Sequence, residues 1–351
     1  MPIPPATHPS WQERPFAIAV TEEYNALALD LFHLHAAHNP VYRGFLQALR
    51  VEPSTVGHVD AIPCLPIGFF RNHRVLLEGL EPAVSFTSSG TTQLRPACAE
   101  ALAGSVGQAG ATTSTHHVPW PGLYERSFMT SFQAVYGDVR NWRILALLPA
   151  YLERQGSSLV HMAGHLIRAS GDPLSGTYLY QYDQLSAVLR QSEAAGKPTL
   201  LLGVTFALLD LAEQHPQPLR HTVVMETGGM KGRRAELVRE DLHARLQKAF
   251  GIRAVHSEYG MTELLSQAWS TGEGLYRCPP WMRVRLRDVN DARSTAPPGR
   301  TGGIDVIDLC NVASCPFIST QDLGRMHADG SFEVLGRFDN SDMRGCNLMV
   351  G

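Results

Sequence analysis

Residues 198–229 read "PTLLLGVTFALLDLAEQHPQPLRHTVVMETGG". The stretch opens with a short apolar run, passes through a helical segment, "TFALLDLAEQH", and closes on a second apolar run that ends in paired glycines. A strand–helix–strand order of this kind predicts parallel strands with the helix packed on one face. The runs are apolar throughout rather than alternating, which suits strands covered on both faces.

The same rhythm extends in both directions. Upstream, "GLYERSFMTSFQAVYG" reads as helix, "RILALLP" as strand and "SSLVHMAGHLIRAS" as helix. Downstream, "RRAELVREDLHARLQKAFG" reads as a long helix closed by Gly251, and "IRAVHSEYG" as the next strand. Residues 21–38 predict a helix with Thr21 as N-cap and Glu22 and Glu23 in its first turn. "VYRGFLQALR" predicts a second helix after Pro40, and a proline-rich loop, "IPCLPIGFF", follows. Past residue 264 the pattern changes to short strands with Gly and Asp turns: "MRVRLRD", "GGIDVIDL", "DLGRMHADG" and "SFEVLGRFD". These predict an antiparallel or barrel-like segment appended to the α/β body.

Composition narrows the classes. The 351 residues suffice for one large domain or two closely packed ones. A net charge of −3 gives no sign of a nucleic-acid partner. No apolar run reaches the ~20 residues a membrane span needs, and the N-terminus, "MPIPPATHPSWQERP", lacks the order of a signal peptide. Six cysteines, sparse and irregularly spaced, predict reduced thiols in a cytoplasmic protein. Cys310 and Cys315 match zinc spacing poorly, and His161 and His165 lack the glutamate of a zincin motif. Buried thiols and ordinary histidines are the expectation there.

In an open α/β sheet, ligands gather at the carboxyl ends of the strands. Three unusual loops follow strands at that end. The first, Ser88, Ser89, Gly90, Thr91 and Thr92, offers hydroxyls and a backbone free to form an anion nest, although the same residues make a plain solvated turn. It lacks the Gly-Lys-Ser/Thr of the usual phosphate loop. The second carries Gly228 and Gly229, which let backbone lie against a planar ligand or simply turn the chain. The third, "SEYGMTE", supplies a flat face in Tyr259, a hydroxyl in Thr262 and, in Glu263, a hard oxygen ligand suited to magnesium. Farther on, Asp322 in "STQDLG" could accept two hydrogen bonds from a ribose diol, and Arg337 lies in a Gly-Arg-x-Asp turn that could act as a hinge.

"TSSGTT", "EYGMTE" and "DLGRMHADGSFEVLGRFD", in that order, resemble the adenylate-forming superfamily of acyl-CoA synthetases and nonribosomal adenylation domains. "IPCLPIGFF", "LPAYLERQGSSLVHMAGHLI", "HSEYGMTELLSQAWS", "YRCPPWM" and "RGCNLMV" look more narrowly like the acyl-protein synthetases of bacterial bioluminescence operons, with phenylacetate–CoA ligases as more distant cousins. The resemblance spans roughly residues 40 to 351. It implies an α/β fold: the large N-terminal body of an adenylate-forming enzyme, mostly parallel sheets flanked by helices with a smaller barrel-like β segment, and no lysine-bearing C-terminal domain. The expected divisions are an N-terminal arm and helix at 1–40, the α/β body at 41–263, a β-rich subdomain at 264–336, and a truncated hinge and tail at 337–351.

The resemblance also implies a reaction. ATP and a carboxylic acid, fatty or aryl, give an acyl-adenylate, and a thiol then takes the acyl group. By motif match, Ser88 to Thr92 contact the pyrophosphate end; Gly228, Gly229, Glu258 and Tyr259 line the adenine. Thr262 touches the α-phosphate, Glu263 holds Mg²⁺, and Asp322 and Arg337 bind the ribose. Where the wider superfamily continues its loop with Gly and Pro-Lys, this chain has Gln93-Leu94-Arg95, so Arg95 is the nearby cation. Cys346 matches the acyl-carrying cysteine of the subgroup, and Arg344 beside it would lower a thiol pKa. The acceptor is a cysteine of the chain itself, a partner protein, or CoA. The competing expectations are an aryl- or acyl-CoA ligase, an ATP-independent acyltransferase using an acyl thioester, and a nucleotide-binding module without turnover. The aromatic segment "HHVPWPGLYERSF" is expected to shape the acyl pocket.

Overall fold

The computed structural model describes residues 8–88, 113–149, 156–228, 237–291, 294–297 and 299–338. Its elements run α1 (Ser10–Glu13), α2 (Thr21–His38), α3 (Pro40–Ala48), β1 (Leu65–Pro66), α4 (Phe69–Asn72), β2 (Val84–Thr87), β3 (Thr115–Val118), α5 (Pro121–Tyr136) and β4 (Arg143–Leu147). They continue with α6 (Ser158–Ser170), β5 (Gly176–Tyr178), α7 (Tyr182–Ala194), β6 (Thr199–Gly203), α8 (Thr205–Gln214), β7 (Thr222–Glu226), α9 (Arg239–Phe250) and β8 (His256–Tyr259). The last part is all strand: β9 (Ala268–Ser270), β10 (Tyr276–Arg277), β11 (Met282–Arg287), β12 (Gly302–Asp308), β13 (Phe317–Met326) and β14 (Phe332–Arg337).

The opening stretch folds as its pattern predicts. β6, α8 and β7 form the strand–helix–strand unit, and β5, β4, β6, β7 and β8 lie side by side in parallel. Every residue of β4 and β6 is buried. Burial of the whole strand explains the continuous apolar runs, since helices cover both faces. The segment 176–194, which the periodicity leaves unassigned, forms β5 and α7. β5 is a three-residue strand at the end of the sheet, too short to show a period.

β9 to β14 are antiparallel, but they are hydrogen-bonded in one path with the parallel strands: β11-β12-β13-β14-β10-β9-β8-β7-β6-β4-β5. β1 joins β13 in parallel, and β2 and β3 make a separate two-stranded ladder. The antiparallel segment is thus a continuation of the same sheet. One apolar core runs from Trp11 and Tyr24 through Leu145, Leu201 and Val224 to Phe317 and Phe332.

Two local expectations change. The N-cap of α2 is Val20, with Thr21 already helical, because the Glu23 carboxylate accepts from the Ala19 and Val20 N–H groups at 2.7 and 3.3 Å. The strand expected from Asp322 in "DLGRMHADG" begins earlier, at Phe317, and runs unbroken to Met326, so Asp322 sits in the middle of β13. A register shift falls between Leu323 and Gly324, and a Cβ on Gly324 would lie 2.7 Å from the Glu333 carbonyl oxygen and from Ile304. The glycine is there for close packing inside a bulged strand.

Candidate functional site

Two of the three loops singled out by sequence follow parallel strands, β7 and β8, at their carboxyl ends; the loop that begins at Ser88 follows β2, which pairs antiparallel with β3 in a separate ladder rather than in the parallel sheet. Two constellations form at the end of β8, one at Tyr259, its last residue, and one in the segment that follows it.

The first joins Tyr259, Asp322 and Arg337. Asp322 and Arg337 are cross-strand partners on β13 and β14, which removes Arg337 from a free turn and makes it the last residue of a strand. Arg337 Nε donates to Asp322 Oδ1 at 3.1 Å, and the Tyr259 hydroxyl donates to Oδ2 at 2.9 Å. Asp322 is 6% exposed, whereas the Arg337 side chain is 67% exposed. The carboxylate is therefore held from behind by a buried tyrosine and flanked by a solvated guanidinium. Each carboxylate oxygen keeps a second lone-pair direction beyond these two bonds.

The second surrounds Glu263, which is 5% exposed. Burial pushes its carboxyl above the ordinary range, countered by a hydrogen bond from Ser114 and by the charges of Arg337 and Arg71. Ser114 is also tied to Ser88: Ser114 N donates to Ser88 Oγ at 2.9 Å, and Ser88 N donates to the Ser114 carbonyl at 3.0 Å. The chain on either side of residues 89–112 is thereby pinned beside Glu263. Gly156 closes the other flank. The Thr87 N–H donates to its carbonyl at 2.7 Å, and a Cβ there would meet Thr87 Oγ1 at 3.0 Å at a φ of +83°.

The backbone carrying Thr262 and Glu263 is gripped by buried side chains that no motif indicates. His116 on β3 faces the Thr262 carbonyl with Nδ1 at 2.8 Å and Asn311 Oδ1 with Nε2 at 3.0 Å. Asn311 Nδ2 donates to the Glu263 and Cys315 carbonyls at 2.8 and 3.0 Å. Asp308, the last residue of β12, accepts from Leu265 N (2.8 Å), Ser266 Oγ (2.6 Å) and Cys310 N (3.1 Å). Its carboxyl is fully buried, and burial lifts its pKa to about 6 in spite of these donors.

Glu258 stands apart from Tyr259. Adjacent residues of a strand point to opposite faces, and the Glu258 carboxyl folds over Gly260, whose Cβ would lie 2.2 Å from Oε1. Burial, with the charge of Glu226 added, raises Glu258 to about 8. For Glu226 itself, burial pushes upward, but His243 at 3.9 Å, the Gly228 N–H at 2.7 Å and the charge of Arg239 outweigh it and lower its pKa. Gly228, at a φ of +72°, gives that N–H at the end of β7. Ser89, Gly90, Thr91, Thr92, Arg95, Gly229 and Cys346 lie outside the described residues.

The remaining sequence candidates fall elsewhere. His161 Nε2 and His165 Nδ1 both face Glu125 Oε1, at 3.0 and 3.6 Å. Cys64, Cys310 and Cys315 are buried free thiols. The segment after β3 lines a cavity of ≈10 Å³ with Leu265 and Asn311, room for about one water molecule. No helix among the described residues is long and apolar enough to cross a membrane.

No protein-family model matches this chain, and no curated protein does. Solved structures do. The chain is similar to 2-hydroxyisobutyryl-CoA ligase in an open conformation, in complex with 2-HIB-AMP and CoA, at 12% identity and a TM-score of 0.62, over 91% of this chain and 70% of that one. It is also similar to ATP-bound MatB from Rhodopseudomonas palustris, at 20% identity and a TM-score of 0.52, over 72% of this chain and 47% of that one. The chain has the fold of the large N-terminal body of adenylate-forming enzymes. It spans about half the length of MatB.

Proposed function

We propose that this protein activates a carboxylic acid with ATP as an acyl-adenylate and then passes the acyl group to a thiol. The observation that carries the reading is the buried Asp322 carboxylate, clamped between Tyr259 and Arg337 beside the Thr262–Glu263 turn, on a fold whose solved neighbours hold ATP or an acyl-adenylate.

In the first step a carboxylate oxygen attacks the α-phosphorus of ATP. The acyl O–P bond forms, the bond to the β-phosphate bridge breaks, and pyrophosphate leaves. Two anions approach each other, so positioning and charge neutralisation are the main catalytic work. In this reading Asp322 accepts the ribose diol and Arg337 offers its exposed guanidinium to the same sugar. Glu258 and Gly228-Gly229 lie against the base, and Tyr259, on the opposite face of β8, acts through its hydrogen bond to Asp322. Ser88 to Thr92, with Arg95, cradle the departing pyrophosphate, and Thr262 touches the α-phosphate.

A divalent cation fits Glu263. The carboxylate is buried, and the nearby positive charges act on it without an ion pair among the described residues. Magnesium needs only one or two protein carboxylates when phosphates and waters complete its shell. When bound it would neutralise charge on the phosphates.

In the second step a thiolate attacks the acyl carbon and AMP leaves. We place this acyl group on Cys346 or on a partner protein, as in the acyl-protein synthetases of bioluminescence operons. A CoA acceptor is the second reading, motivated by the CoA in the 2-hydroxyisobutyryl-CoA ligase complex. Labelled acid and ATP separate the two. Label retained on denatured protein and lost in Cys346→Ser supports the self-acylating form. Label found only on added CoA supports the ligase. A Glu263→Gln variant with undiminished acid-dependent ATP–pyrophosphate exchange would remove the metal role.

A further inference from the structure

We propose that His116 is a positioning residue of this activation site, setting the Thr262–Glu263 peptide through the hydrogen on its Nδ1. The inference rests on the reading above for its activity arm only.

The geometry is specific. His116 has no exposed surface, sits on β3, and reaches across to a carbonyl 146 residues later in the chain. Thr262 O and Asn311 Oδ1 both face the ring as acceptors, and the shorter contact, 2.8 Å against 3.0 Å, assigns the hydrogen to Nδ1. Asn311 then holds the next carbonyl, that of Glu263, so two consecutive peptide units are fixed by one His–Asn pair. Phe70 packs edge-on against the imidazole, with ring centroids 5.8 Å apart. Fixing both carbonyls fixes where the Thr262 hydroxyl and the Glu263 carboxylate point. That function differs from filling the core, which a phenyl ring would do as well.

The donor count makes the claim testable. Both Asn311 N–H groups go to carbonyls, so its oxygen faces Nε2. Burial pulls the His116 pKa down to about 4, so at neutral pH the ring carries one N–H for two acceptors. The assignment puts that hydrogen toward Thr262. An asparagine side chain places its amide where Nδ1 was, and a glutamine places it where Nε2 was.

His116→Phe, His116→Asn and His116→Gln would be compared in two assays: amide hydrogen exchange across 260–266, and ATP–pyrophosphate exchange with the acid that the wild type uses. The expected result is faster hydrogen exchange confined to that segment in His116→Phe and His116→Gln, and near-wild-type protection in His116→Asn. For activity, a displaced Thr262–Glu263 turn predicts a drop in kcat of about 10- to 100-fold in His116→Phe and His116→Gln, with little change in the KM for ATP. His116→Asn should stay within about fivefold of wild type on the same argument. Wild-type protection in His116→Phe, or rescue by glutamine and not by asparagine, overturns the proposal. If the wild type shows no pyrophosphate exchange with any acid, the proposed function fails, and the hydrogen-exchange arm still decides the role of His116.

Discussion

Asp308 gives a prediction whose size follows from the structure. It is a fully buried carboxylate at the end of β12 that holds Leu265 and Ser266 behind Glu263. Burial raises it from 3.8 to about 6, so the native state binds this proton more tightly than the unfolded chain does. For an acid shifted in this direction, native stability falls as pH rises from about 4 through 6. Replacing Asp308 with Asn keeps the shape, removes the titration and leaves one N–H facing an amide, a pH-independent cost of about 1–3 kcal/mol. Integrating the proton linkage between pH 4.5 and 7.5, the wild type loses about 2 kcal/mol that the variant does not. All other titrating groups cancel in the difference. Urea unfolding of both proteins at the two pH values should show the stability gap moving in favour of Asp308→Asn by that amount. A gap unchanged between pH 4.5 and 7.5 would refute the claim that an ionised carboxylate anchors this segment at a burial cost.

Two further outcomes test neighbouring parts of the structure. Tyr259→Phe removes the 2.9 Å hydroxyl donor from Asp322 and should cost about 1–2 kcal/mol in thermal or urea unfolding, while raising the KM for ATP more than it lowers kcat. Arg143 and Asp172 form an ion pair with both side chains 9% exposed, at the amino ends of the parallel strands. Arg143→Ala should destabilise by about 1–3 kcal/mol in urea, since Lys197 at 3.7 Å and the Leu174 N–H at 3.0 Å stay on Asp172, and should leave the specific activity of the folded enzyme unchanged.

Much of the fold is legible in the sequence because its signals are local. The apolar runs of β4, β6 and β7 and the helices between them are each readable within a dozen residues, and their alternation implies the parallel sheet. The continuity of β13 is not local. "STQDLG" is mostly polar and ends in glycine, and it is a strand through its pairing with β12 and β14, with Gly324 packed against Ile304 and Glu333 at the register shift. The site divides in the same way. Tyr259, Asp322 and Arg337 stand out by their motifs and meet in space. Their arrangement does not stand out: Asp322 lies in mid-strand, and Glu258 and Tyr259 leave opposite faces of β8. Ser114 and His116 lie in a polar run, "STHHV", and Asp308 and Asn311 are polar residues in an apolar one, "IDVIDLCNVASCPF", with no motif to single them out. What gives them meaning is pairing across long separations, 195 residues for His116 and Asn311, which no local period encodes.

The central claim is that ATP and a carboxylic acid react at the Asp322–Glu263 site. It is tested most directly by ATP–pyrophosphate exchange over a panel of fatty and aryl acids, run with wild type and Glu263→Gln. The expected exchange depends on a subset of the acids, requires magnesium and is crippled in the variant. Absence of exchange with every acid, from protein that nonetheless acquires label from an acyl thioester, would contradict it and identify an acyltransferase that does not use ATP.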